Sequence, residues 1–189
     1  MTNDSDGRSE SFDRSWHLGR TPREVDVAEF EYAIMRAFEA FGRWQAECHA
    51  VVADFSLSGP ENALLHIIRT DDRPKTVRDL AALTNRDDVP NIQYSLRKLV
   101  SGGLVERTGS GRTGVYYTVT ELGRRVTDRY ADVREALLIE AVDDVPELST
   151  RLREATRTLD LMIGIYAQSA RAALTHRHPA ERIPLPPPP

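Results

Sequence analysis

Apolar residues early in the chain recur at steps of three and four: Val27, Phe30, Ile34, Ala37, Phe41, Trp44, Cys48 and Val51. That period places one continuous stripe on a single face of a long helix, which Phe38 widens. Thr21-Pro22-Arg23-Glu24 starts it, a capping box with proline at the first helical position, and the pattern runs to about Asp54. Ser58-Gly59-Pro60-Glu61 opens a second helix the same way, with Ala63, Leu64, Ile67 and Ile68 on its inner side and an end near Thr70. Asp71-Asp72-Arg73-Pro74 is a turn. Thr76-Val77-Arg78-Asp79 begins a short third helix with Leu80 and Leu83 facing inward, and Thr84 to Asp88 is a polar turn. A fourth helix starts near Val89, with Pro90 in its first turn, where the missing N–H costs nothing. Its apolar side is Ile92, Leu96, Leu99 and Val100, and Gly102-Gly103 ends it.

Then the period changes. Leu104 to Thr108 and Val115 to Val119 are rich in β-branched and aromatic residues, as strands prefer. Gly109-Ser110-Gly111-Arg112-Thr113-Gly114 lies between them, so the pair reads as a β-hairpin with a glycine-rich basic tip. Thr120 caps a fifth helix carrying Leu122, Val126, Tyr130, Val133 and Leu137. After a break at Asp143-Asp144-Val145-Pro146, a sixth carries Leu152, Ala155, Leu159, Met162 and Tyr166. The predicted fold is mainly α with a small β-hairpin (α+β): a winged helix-turn-helix between long N- and C-terminal helices. The expected divisions are a disordered segment 1–20, a dimerisation helix 21–54, a DNA-binding unit 55–120, dimerisation helices 121–175 and a disordered proline-rich tail 176–189.

Charge sharpens this picture. The 189 residues carry a net charge of −4, which alone speaks weakly against a nucleic-acid partner. Yet eleven basic and eight acidic side chains lie between Gly59 and Arg125, so the middle is net +3 and the flanks hold the excess acid. A basic module between acidic arms suits a local phosphate footprint. The polar N-terminus has no hydrophobic signal core, no apolar run is long enough to span a membrane, and a single cysteine rules out an internal disulfide. The expected location is the cytoplasm, without membrane contact.

The order helix, turn, helix, hairpin fits duplex DNA. The major groove admits one helix, and the second helix of such a pair enters it with its N-terminal residues at the base edges. On the fourth helix, Asn91, Gln93, Tyr94, Ser95, Arg97 and Lys98 are not needed for the core. Asn91, Gln93 and Tyr94 are assigned to base reading, Arg97 and Lys98 to phosphates. Thr76 can offer a hydroxyl and an N–H to a phosphate, Arg112 a cation to the minor groove, and Arg73, Lys75 and Arg86 contacts to the backbone. The long helices expose more apolar seam than this small unit can cover, which implies a homodimer with its recognition helices roughly 34 Å apart.

These residues also carry a family resemblance. The run from Val89 to Arg107 resembles the recognition helix and first wing strand of MarR-family regulators. Arg112 and Thr120-Glu121-Leu122-Gly123 are similar to the family's wing arginine and its entry to the fifth helix. The segment Leu57 to Arg107, with Asn85-Arg86-Asp87-Asp88, most resembles the LdtR-like subgroup, and the whole likeness covers roughly residues 25 to 174. Ser110 stands where the family usually has an aspartate that steadies the wing arginine, and Val119 where it has leucine. The resemblance implies an obligate homodimer held by the first, fifth and sixth helices on a near-palindromic operator. It further implies a response, in many members, to a small phenolic or amphipathic effector, or to oxidation.

Other chemistry is weighed against plainer readings. Gly109-x-Gly111-x-x-Gly114 matches a dinucleotide fingerprint literally, but a strand follows it where that motif needs a helix. Cys48 reads first as a small core residue and second as an oxidation sensor. Phe38, Phe41, Trp44, His66 and Tyr130 could line an effector pocket, although aromatic stripes usually form core or interface. His176 and His178 lack partners that would make a metal site. No nucleophile motif stands out, so neither an enzyme nor a cofactor is expected. The competing function is a winged-helix protein-interaction module that does not bind DNA.

Overall fold

A computed structural model describes residues 17–110 and 114–175. The segments 1–16, 111–113 and 176–189 lie outside the described residues, and with them the readings for the N-terminal segment, Arg112 and the proline-rich tail. The chain divides into two compact units between Arg134 and Glu135.

In the first unit, α1 spans Pro22–Val52 and α2 Gly59–Arg69; α3 spans Val77–Leu83 and α4 Val89–Ser101. Strands β1 (Val105–Thr108) and β2 (Tyr116–Val119) follow, then α5 (Glu121–Arg134). Local chemistry sets these boundaries. Thr21 Oγ1 accepts from the Glu24 N–H, and Glu24 accepts from the Thr21 N–H at 2.9 Å. At α2, Glu61 accepts from the Ser58 N–H at 2.9 Å. At α3, Thr76 Oγ1 accepts from the Asp79 N–H at 3.2 Å while Asp79 accepts from the Thr76 N–H at 2.8 Å.

Two helix ends share one geometry. After α3, Asn85 takes φ +51°, the Arg86 N–H donates to the Ala81 carbonyl at 2.9 Å, and the Asn85 N–H donates to Ala82 at 3.2 Å. After α4, Gly103 takes φ +69°, and Leu104 and Gly103 donate to Leu99 and Val100, both at 3.0 Å. Each is a Schellman motif, which satisfies the last carbonyls and turns the chain sharply. The first makes the tight turn between α3 and α4; the second launches β1.

The core is one cluster of Leu57, Leu64, Leu65, Ile68, Leu80, Ile92, Leu96, Leu99, Leu104, Val105, Tyr117, Val119 and Val126. The strands pair antiparallel, with Val105 opposite Val119 and Thr108 opposite Tyr116. Lys75 adds a bridge to β2, exchanging backbone hydrogen bonds with Tyr117 at 3.0 and 2.9 Å. Gly123 is required where α5 meets the hairpin: a Cβ there would lie 2.2 Å from the Leu104 carbonyl oxygen. Thr120 fixes the same corner, its Oγ1 accepting from the Gly123 N–H at 3.0 Å and donating to the Gly103 carbonyl at 2.6 Å.

Three sequence expectations are corrected here. Leu83, expected inward, is 61% exposed, because it ends a seven-residue helix whose buried contact is already made by Leu80. Ser95 was grouped with the outer face of α4 but is buried, since the helical period sets it between Ile92 and Leu99. The fifth helix stops as an α-helix at Arg134, short of Leu137.

The second unit begins with a π-helical turn at Glu135–Ile139, continues as α6 (Glu140–Asp143) and ends in α7 (Leu148–Thr175). No residue of α7 is buried, and Leu152, Leu159, Leu161, Ile163, Ile165 and Leu174 stand exposed along it.

Candidate nucleic-acid interface

The inner face of α4 is closed along its centre: Ile92 and Leu99 are fully buried and Leu96 nearly so. Packing therefore fixes which side turns out. That side carries Asn91, Gln93, Tyr94, Arg97 and Lys98, all exposed. The Arg97 guanidinium lies 6.0 Å and the Lys98 Nζ 5.8 Å from the centre of the Tyr94 ring, so two cations and an aromatic form one group.

Lys98 has a second attachment. Its Nζ lies 2.7 Å from Glu61 Oε1, whose side chain is 3% exposed against 46% for Lys98. Burial opposes ionisation of Glu61, but hydrogen bonds from Lys98 and Ser58 outweigh it and hold the carboxyl below its ordinary pKa. The same bond raises the Lys98 pKa. The pair ties the α2 N-terminus to the outer face of α4, so Lys98 is both anchored and wetted.

The other sequence-assigned cations divide sharply. Lys75 is buried: its Nζ donates to the Ile68 carbonyl at 3.1 Å, the Arg73 carbonyl at 3.2 Å and the Thr70 carbonyl. Its ammonium satisfies the C-terminal end of α2. Arg73 is 77% exposed with Asp71 beside it at 3.2 Å. Arg86 grips Asp88 through two hydrogen bonds of 2.7 and 2.6 Å, which hold the Asp88 carboxyl at a pKa of about 2. The Thr76 N–H and hydroxyl both meet Asp79.

A surface cavity of about 480 Å³ lies between α4 and the hairpin, lined in part by Gln93, Arg97, Arg107 and Tyr117. Arg107 is exposed and was not singled out in sequence. The signal available was strand alternation, which sets it opposite Tyr117 and on the side of α4. Gly109 and Gly114, with φ +79° and +82°, carry β1 and β2 toward the tip.

The expected effector residues separate. Phe38 and Phe41 line a second cavity of about 880 Å³, with Arg43, Ala63, Ile67, Thr84, Arg86 and Asp88. Trp44, His66 and Tyr130 do not line it. Trp44 packs with Cys48, Tyr130 and Val133 in a separate cluster, and the His66 ring lies 4.5 Å from that of Tyr130. Burial lowers the His66 pKa to about 4, with Arg69, His49 and Arg134 contributing, and its Nε2 has no hydrogen-bond partner among the described residues. Cys48 is 2% exposed; burial raises its pKa, and its Sγ faces the Tyr130 carbonyl at 4.0 Å. A raised pKa and no access are the opposite of what makes a thiol reactive. No group of His, Cys, Asp and Glu among the described residues is arranged to hold a metal ion, and no described helix is long and apolar enough to cross a membrane.

Residues 57–123 match the winged helix DNA-binding domain family. A search of curated proteins by sequence finds no match. Solved structures share the fold. The transcriptional regulator BldR from Sulfolobus solfataricus is similar with a TM-score of 0.60 at 20% identity, over 74% of this chain and 99% of its own. A mutant MarR from E. coli complexed with operator DNA gives 0.59 at 17% identity, over 71% and 95%. CouR from Rhodococcus jostii RHA1, bound to p-coumaroyl-CoA, gives 0.57 at 19%, over 72% and 93%.

Proposed function

We propose that the protein is a sequence-specific DNA-binding transcriptional regulator of the MarR type that acts as a homodimer on a near-palindromic operator, rather than an enzyme, and works in the cytoplasm. The observation that carries this is α4: a helix locked on its inner face by Ile92, Leu96 and Leu99 that presents Asn91, Gln93, Tyr94, Arg97 and Lys98 outward. Asn91 and Gln93 offer the amides that pair with adenine in the major groove, and Tyr94 adds a stacking face. Arg97, Lys98, Arg73 and Arg107 supply phosphate contacts, and Arg112, outside the described residues, keeps its sequence-based assignment to the minor groove. Lys75 supports this surface from within. Placement in the LdtR-like subgroup rests on the likeness of Leu57 to Arg107 alone.

Dimerisation is supported by the apolar residues left open on the long helices, Met35, Phe38 and Phe41 on α1 and Leu161 and Leu174 on α7 among them. An amphipathic or phenolic effector is supported by the cavity beside Phe38 and Phe41 and by a fold neighbour bound to p-coumaroyl-CoA. DNA as partner is supported by the matched domain and by a fold neighbour complexed with operator DNA.

The test is a mobility-shift titration at two salt concentrations, comparing a duplex selected from a random pool with random duplex. A preference of about 10³-fold or more and a steep fall with salt are expected. Equal, weak affinity for both duplexes would leave the interaction-module reading in its place.

A further inference from the structure

Helices α1, α2 and α3 each open on a capping box, and the box of α2 is built differently. At α1 and α3 the acid that closes the box, Glu24 or Asp79, is exposed. At α2 that acid is Glu61, which is buried, so capping alone does not account for its place. A buried carboxylate is costly unless it is paired and hydrogen-bonded. Glu61 divides its two oxygens between two helices. Oε2 accepts from the Ser58 N–H at the start of α2, and Oε1 meets the Lys98 Nζ on the outer face of α4. The first contact serves α2 itself; the second serves the helix assigned to DNA.

Lys98 stands one turn along α4 from Tyr94, where residues four apart are neighbours, and its Nζ lies over the Tyr94 ring. The Arg97 guanidinium lies over the same ring. A long cationic side chain on a surface helix has many rotamers, and ordering it when a partner binds costs affinity. Glu61 holds the end of Lys98 before any duplex arrives. The hold comes from the first turn of α2, a helix anchored in the core by Leu64, Leu65 and Ile68. A rigid element thus reaches through Lys98 to the aromatic ring at the base-reading face.

We propose that Glu61 is a positioning residue for base reading: without touching DNA, it holds Lys98, and through Lys98 the Tyr94 ring, in the orientation that discriminates sequence. This rests on the DNA-binding reading above and adds a residue of α2 to what sets its specificity.

Affinity for selected and random duplex is measured at several salt concentrations for the wild type, Glu61→Gln, Tyr94→Ala and the double variant. Glutamine also closes a capping box, so Glu61→Gln keeps the start of α2 and removes the charge that holds Lys98. Each single change is expected to lower the preference about tenfold, with affinity for random duplex held within about twofold and no further loss in the double variant. The salt dependence of Glu61→Gln on random duplex is expected to parallel that of the wild type, because every cation is kept. Equal losses on selected and random duplex would make Glu61 a structural support and overturn the proposal, as would additive losses in the double variant or a shallower salt dependence. Should Glu61→Gln not fold, the same cycle is run with Lys98→Gln, which breaks the link from its wetted end; there too, additive losses with Tyr94→Ala or an unchanged preference would overturn it. If the wild type shows no preference, the DNA-binding reading falls and takes this one with it. If the wild type discriminates and Glu61→Gln matches it, only the positioning role fails.

Discussion

Helices α4 and α1 are both amphipathic, and they differ in what closes their apolar faces. On α4 the central apolar residues Ile92, Leu96 and Leu99 are sealed by the same chain. On α1, Met35 is 64% and Phe38 70% exposed, and its buried residues are Ala28, Gln45, Cys48 and His49. A period of 3.6 residues says which side of a helix is apolar and nothing about who covers it. The closed helix can present a fixed outer surface to DNA. The open one calls for another apolar surface, and here that surface is assigned to a second copy.

The contrast can be broken at its strongest point first. Leu96→Ala is expected to cost about 2–5 kcal/mol in denaturant unfolding, because Leu96 is 1% exposed within the core cluster; a loss near zero would mean α4 is not locked. On the open side, changing Met35 and Phe38 together to Glu should turn a dimer into a monomer in sedimentation velocity. A double variant that still sediments as a dimer would move the interface off that part of α1. Glu61→Gln should cost less, about 1–2 kcal/mol, since Glu61 is buried but Lys98 is half in water and can rehydrate.

A pH dependence of similar size is also expected. The folded-state pKa of His66, about 4, lies below the ordinary 6.5, so the unfolded chain binds the extra proton first. The stability due to neutral His66 is present above about 6.5 and is lost as pH falls from there toward about 4. Thermal melts at pH 7 and 5 should differ in that direction, and less so for His66→Gln. An unchanged difference in the variant would assign the effect to other groups, His49 first, whose pKa burial also lowers.

Much of the fold was legible because its signals are local. The capping boxes at Thr21, Ser58 and Thr76, the turn at Thr84 to Asp88 and the Gly102-Gly103 stop act within four or five residues. So did most of the outer face of α4, which follows from Ile92, Leu96 and Leu99. Contacts across the sequence were not legible. Nothing near Lys75 announces that it will bridge Tyr117 and turn its ammonium inward, and nothing near Lys98 announces Glu61. A basic residue in a basic segment reads as a phosphate contact until packing commits it elsewhere. The proposed effector set divides in two for a similar reason. Phe38 and Phe41 share a cavity, while Trp44 packs in a cluster with Tyr130, against whose ring His66 lies, a division that depends on α2 and α5 rather than on the α1 stripe.

Whether the outer face of α4 reads bases in the major groove can be measured by replacing adenines of the selected duplex, one at a time, with 7-deazaadenine. This removes only the major-groove N7 acceptor. At one or more positions the wild-type preference is expected to fall by about 1–3 kcal/mol, and at one of them Gln93→Ala should show no further loss. Indifference to 7-deazaadenine at every position, or equal sensitivity of wild type and Gln93→Ala throughout, would contradict the assignment of base reading to this helix.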